Sequence, residues 1–168
     1  AGHTERDMLQ ALFTAAMRDG RMVAWDSSRN GVPLIHFRSL KHALSFPAYW
    51  QTLKERDDLH VDLLDWLAGP GVDRPGLDET ARKLGFPGMC ARTEDDVYAA
   101  WLAGRHAEVQ AFSEIAALNT YLLALRVFSV TGQVTRHDSA RVQNNLRQAL
   151  ARRSDGHLAD FLAAWRSE

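Results

Sequence analysis

The sequence predicts an α/β fold dominated by helices, organised as one domain over residues 1–168. Apolar residues recur at helical spacing through most of the chain. A single strand-type run, Met22-Val23-Ala24-Trp25, stands among them. Gly and Pro mark short connections but no domain boundary. With 168 residues, 46% of them apolar, the chain is large enough to bury a core.

The elements follow in order. Residues 4–19 read as a helix with Thr4 as N-cap, Met8, Leu9, Leu12, Phe13, Ala16 and Met17 on one stripe, and Gly20 as its end. After the strand-type run, residues 26–31 read as a polar loop. Pro33 suits the first turn of a helix to about Leu44, where its missing N–H costs nothing. Pro47 interrupts, and residues 48–55 form another turn or two. Residues 60–67 mix acids with apolar residues and read as a helix start, with Asp62 as cap. Residues 68–75 are a Gly/Pro loop, Leu77 to Leu84 a short helix closed by Gly85, and residues 94–103 a helix ended by Gly104. The strongest helix runs from His106 to Val130. Its apolar face, including Val109, Phe112, Ala116, Leu122 and Leu125, is wide enough to make it central. Two amphipathic helices, 138–152 and 157–166, complete the chain.

Composition excludes several classes of function. The net charge of −1 provides no global field for nucleic acid or an anionic membrane, so any such contact is local. Lysine occurs only at Lys41, Lys54 and Lys83; the arginine bias is read as the imprint of a GC-rich genome. Cys90 is the only cysteine, which excludes an intrachain disulfide and a cysteine-based zinc site and suits a reducing cytoplasm. No apolar run is expected to approach membrane-spanning length, so no membrane contact is expected.

A lone strand poses a physical problem. Its N–H and C=O groups need partners on a neighbouring strand. The partner is a strand disguised in the sequence, a segment outside it, or another chain. In the last case Met22, Val23, Ala24 and Trp25 offer an edge for a protein partner or for self-association.

Two strings carry a family resemblance. One is Gly76-Leu77-Asp78-Glu79-Thr80-Ala81-Arg82-Lys83-Leu84-Gly85-Phe86-Pro87-Gly88, the other Phe112-Ser113-Glu114-Ile115-Ala116-Ala117-Leu118-Asn119-Thr120-Tyr121-Leu122. Both resemble the predicted 3′–5′ exonucleases related to the proofreading domain of B-family DNA polymerases. His60-Val61-Asp62-Leu63-Leu64-Asp65 and Phe161-Leu162-Ala163-Ala164-Trp165 resemble further segments of that family, so the likeness spans nearly the whole chain.

The resemblance implies a ribonuclease-H-like fold: a mixed sheet flanked by helices, with acidic residues holding two divalent metals that activate a water and stabilise the leaving oxygen. The family's first motif, Asp-x-Glu, has no counterpart here, so its N-terminal strands are missing or supplied elsewhere. The second motif, near Asn-Gly-x-x-Phe-Asp, falls on residues 26–31. Asp26 stands at the asparagine position, Asn30 at the phenylalanine position and Gly31 at the catalytic aspartate position. The third motif, Tyr-x-x-x-Asp, becomes Phe112 and Ala116. Phenylalanine keeps the ring without the hydroxyl, and alanine binds no metal. Met89 replaces an expected lysine.

The resemblance therefore implies a degenerate exonuclease, catalytically inactive, acting as a nucleic-acid-binding or scaffolding module. Single-stranded nucleic acid would be met by Asp26, Asn30 and Asn119. No cofactor is expected. The alternatives are an active exonuclease using Mg2+ or Mn2+ through unusual ligands such as Asp26 and Glu114, and a protein-interaction subunit with no nucleic-acid role. His36 and His42 read as surface or packing residues. The five tryptophans, though able to stack on bases, read as core residues.

Overall fold

The computed structural model describes residues 4–19, 21–68 and 74–166, with the side chains of Asp19 and Asn30 outside the description. Gly20 and most of the expected 68–75 loop fall outside it too. The described residues form a mostly helical α/β structure with a two-stranded parallel sheet. Backbone contacts group the chain into two compact units, residues 1–72 and 73–168.

In the first unit, α1 (Glu5–Asp19) begins at a reciprocal cap. The Asp7 N–H donates to Thr4 Oγ1 at 3.2 Å, and Thr4 N–H donates back to the Asp7 carboxylate at 3.0 Å. Leu9, Phe13 and Ala16 of the expected stripe are buried, whereas Met8 is exposed. β1 (Met22–Ala24) follows, then a π-helical turn (Ser27–Gly31) where a polar loop was expected. α2 (Val32–Lys41) takes Pro33 in its first turn, as expected, whereas Pro47, expected only to interrupt, is itself the first residue of α3 (Pro47–Glu55).

The partner of β1 is β2 (His60–Asp62), running parallel with Met22 opposite His60 and Ala24 opposite Asp62. This corrects the expectation that a helix starts at His60: the helix, α4 (Leu63–Ala68), begins three residues later. Three residues are too few to show a period of two, and the acids at Asp62 and Asp65 suggested a helix start. The α2–α3 segment supplies the crossover that parallel strands require. Leu9, Phe13, Tyr49 and Leu59 form the core of this unit, with Met22, Phe46 and Trp50 packed against it.

Among the described residues of the second unit, every regular element is an α-helix. α5 (Leu77–Lys83), α6 (Glu94–Leu102), α8 (Arg136–Ala151) and α9 (Gly156–Ala164) all pack on α7 (His106–Val130). α7 is central, as its wide apolar face implied. Ile115, Leu122 and Leu123 are buried along it, and Phe161 and Trp165 close the far side. The Arg147 guanidinium lies 3.9 Å from the centre of the Trp165 ring and donates to the Trp165 and Arg166 carbonyls, tying α8 to the end of α9.

Two expectations need amendment. By length and composition α7 is apolar enough to cross a bilayer, contrary to the reading that no run approaches that length. A central core helix has the same composition, and 39% of the apolar window is buried within the chain. The tryptophans are not all core residues either: Trp165 is buried, but Trp66 and Trp101 are 51% and 59% exposed.

Candidate functional site

In the first unit the candidate residues gather around one carboxylate. Asp26 follows the strand with left-handed backbone (φ 51°), which turns the chain into the π-helical turn. Asp62 lies at the end of β2. Its Oδ1 accepts the N–H of Asp26 at 3.0 Å and of Leu64 at 2.9 Å, and its Oδ2 accepts the N–H of Ser28 at 2.8 Å. One side chain therefore caps α4, as expected from the sequence, and also holds the turn that presents Gly31. Ser28 Oγ donates to Asp65, adding a second tie. Gly31 has ordinary helical backbone, and a Cβ there would sit 3.3 Å from Ser27 Cβ. The backbone conformation does not require glycine, but the added carbon would sit in a tight contact. The Asn30 side chain lies outside the described residues.

Burial pushes the Asp62 carboxyl up, but the donors from Ser28, Leu64 and Asp65 outweigh it and hold it below the ordinary range. A depressed carboxyl contributes stability above its unfolded value, about 3.9, that is lost as the pH falls through the folded value. Asp62→Asn should therefore be less stable than wild type at neutral pH, with the gap closing under acid. Denaturant titrations across that range test this; a pH-independent gap would contradict it.

In the second unit Phe112 and Ala116 lie one turn apart on α7, both half-buried. Glu114 does not substitute for a lost aspartate. Its carboxylate accepts from Gln110 at 2.8 Å and faces His157 Nε2 at 2.6 Å, and these two contacts lower its pKa. Asn119, expected to touch nucleic acid, is fully buried. Its Oδ1 accepts the Gly88 N–H at 3.1 Å, and its Nδ2 donates to the Gly88 carbonyl at 2.8 Å and the Ile115 carbonyl at 3.0 Å. A side chain so placed has no face to offer a ligand, which corrects that assignment. Gly88 has φ 70°, and a Cβ there would meet Asp78 Oδ1 and come within 2.7 Å of Arg82 Cγ. The two strings singled out in the sequence are thus one physical object: Asn119 of the second clamps the backbone of Gly88 in the first.

Beside this lock, α7, α8 and α9 form an open apolar cavity of about 560 Å³ lined by Ala117, Leu118, Tyr121, Leu150 and Leu158. Glu114 and Arg153 at its edge are paired with His157 and Asp155.

A sequence model of predicted 3′–5′ exonucleases related to the exonuclease domain of PolB matches residues 1–165. The chain belongs to this family. Comparisons with curated proteins and with solved structures gave no significant match. Among the described residues of this exonuclease-related chain, no three His, Cys, Asp or Glu side chains come together in a group able to hold a metal ion. Divalent metals of the kind the sequence resemblance implies need several oxygen ligands, and the described residues gather no such group.

One cluster escaped the sequence reading. His36 of α2 and His60 of β2 each place Nε2 2.6 Å from the hydroxyl of Tyr49 on α3. Tyr49 is fully buried, and the Trp50 ring packs 4.8 Å from His36. Neither spacing nor periodicity links residues 36, 49 and 60; only the crossover between parallel strands does.

Proposed function

We propose that the chain is a degenerate exonuclease-like domain of ribonuclease-H-like architecture, catalytically inactive, which acts as a nucleic-acid-binding or scaffolding module. Family membership supports an exonuclease-like domain. Inactivity rests on one reading: by the family resemblance Gly31, Phe112 and Ala116 fall at the catalytic positions, and their side chains provide no oxygen ligand. Phosphodiester cleavage by this class depends on metals held by carboxylates, which these three side chains do not supply. Asp26 and Asn30, in and beside the turn held by Asp62, remain the proposed contacts for a nucleic-acid strand.

The test is incubation with 5′-labelled single-stranded DNA and Mg2+ or Mn2+. The expected result is no shortening, with binding at low salt where phosphate contacts are strongest. Shortening that disappears in Asp26→Ala would establish an active enzyme instead. A chain that neither cleaves nor binds would favour the protein-interaction reading. The edge of β1 supports that reading, because each strand has one neighbour among the described residues.

A further inference from the structure

We propose that His36, Tyr49 and His60 form a proton-operated clasp: protonation of both imidazoles releases α2 and α3 from β2. The argument begins with hydrogen counting. A phenol has one hydrogen, so Tyr49 donates to one Nε2 and accepts from the Nε2–H of the other. The neutral cluster is satisfied by one imidazole protonated on Nδ1 and the other on Nε2. A first added proton is accommodated on the Nδ1 of the donating ring, but a second charges both rings and puts N–H on both nitrogens that face the oxygen. The hydroxyl hydrogen then has no acceptor, because among the described residues Tyr49 Oη has no partner besides the two imidazoles. Its surroundings are apolar: Phe13 lies edge-on at 4.6 Å and Trp50 at 5.1 Å between ring centres. An unmet buried donor is costly.

No neighbouring charge compensates the added protons. On α1, Glu5 is engaged by Arg38 and His42. On α2, the remaining cation is Lys41. α3 carries Lys54 and Glu55, the latter bound by Gln51. Asp58 is taken by Arg56 and Arg21, and Asp62 by backbone N–H groups. β1 has no titratable residue. Among the described residues, neither His36 nor His60 has an ion-pair partner. Both rings are only half-buried, so protons reach them.

The direction of the pH effect follows. Burial lowers the pKa of His36, and burial together with the His36 charge lowers that of His60. The unfolded chain therefore binds more protons. Stability is complete above the unfolded histidine value, about 6.5, and falls as the pH drops below it toward the folded values.

The test uses the whole chain. Imidazole NMR titration is read residue by residue, because His42 and His157 face Glu5 and Glu114. Thermal unfolding is followed by tryptophan fluorescence from about pH 7.5 to about pH 5. His36 and His60 should titrate below ordinary histidine and perturb each other. The wild-type midpoint should fall by roughly 5 °C or more over that range. Tyr49→Phe, which keeps the ring, should start lower and respond less to pH. His36→Gln supplies a second variant should Tyr49→Phe not fold, and the wild-type titration is decisive without either. Independent titration of both rings near 6.5 would overturn the clasp, as would full pH dependence in a folded Tyr49→Phe.

Discussion

Replacing Asn119 by alanine should lower the stability of the chain by about 3 kcal/mol, despite the better helix propensity of alanine. The substitution removes a fully buried amide that makes three hydrogen bonds to backbone groups. It leaves the buried N–H and carbonyl of Gly88 without their side-chain partner, and such groups each cost about 1–3 kcal/mol when unmet. Asn119→Asp should also fail, because a carboxylate accepts from the Gly88 N–H but cannot donate to its carbonyl. The exposed neighbour Tyr121, changed to alanine, should have a much smaller effect. Urea denaturation of the three variants gives the comparison. Equal losses for Asn119→Ala and Tyr121→Ala would show that the clamp adds nothing to stability.

Phe13→Ala should cost about 3–5 kcal/mol, the range for removing a buried aromatic ring. Phe13 is fully buried on α1. Its ring lies 4.7 Å from Phe46 and 4.6 Å from Tyr49, so truncation opens a cavity where three aromatic residues meet. Phe13→Leu, which refills part of the volume, should recover part of the loss. Chemical denaturation would measure both. Losses below 1 kcal/mol for Phe13→Ala would mean the cavity collapses around the remaining rings. The same truncation frees the back of Tyr49, so imidazole signals from His36 and His60 should broaden or move.

The sequence was most legible where a local rule acts over many residues. α7 showed a wide apolar face over 25 residues, and α1 showed a stripe and a cap; both stand as expected. β2 was not legible because it has three residues and depends on β1 for every ladder hydrogen bond. Asp62 was read as a helix cap and is one, but its bonds to Asp26 and Ser28 join segments far apart in sequence. Asn119 went the other way. It was offered as a nucleic-acid contact against the alternative of burial, and burial makes it a clamp.

The sequence alone determined the family, the helical content, and the residues at positions 31, 112 and 116, because residue identity and short-range periodicity need no third dimension. Tertiary structure alone decided which strand pairs with Met22–Ala24, which backbone Asn119 holds, and that one tyrosine hydroxyl bridges two histidines. Hydrogen bonds between distant segments depend on where the whole chain brings donor and acceptor together, and no local pattern encodes that meeting.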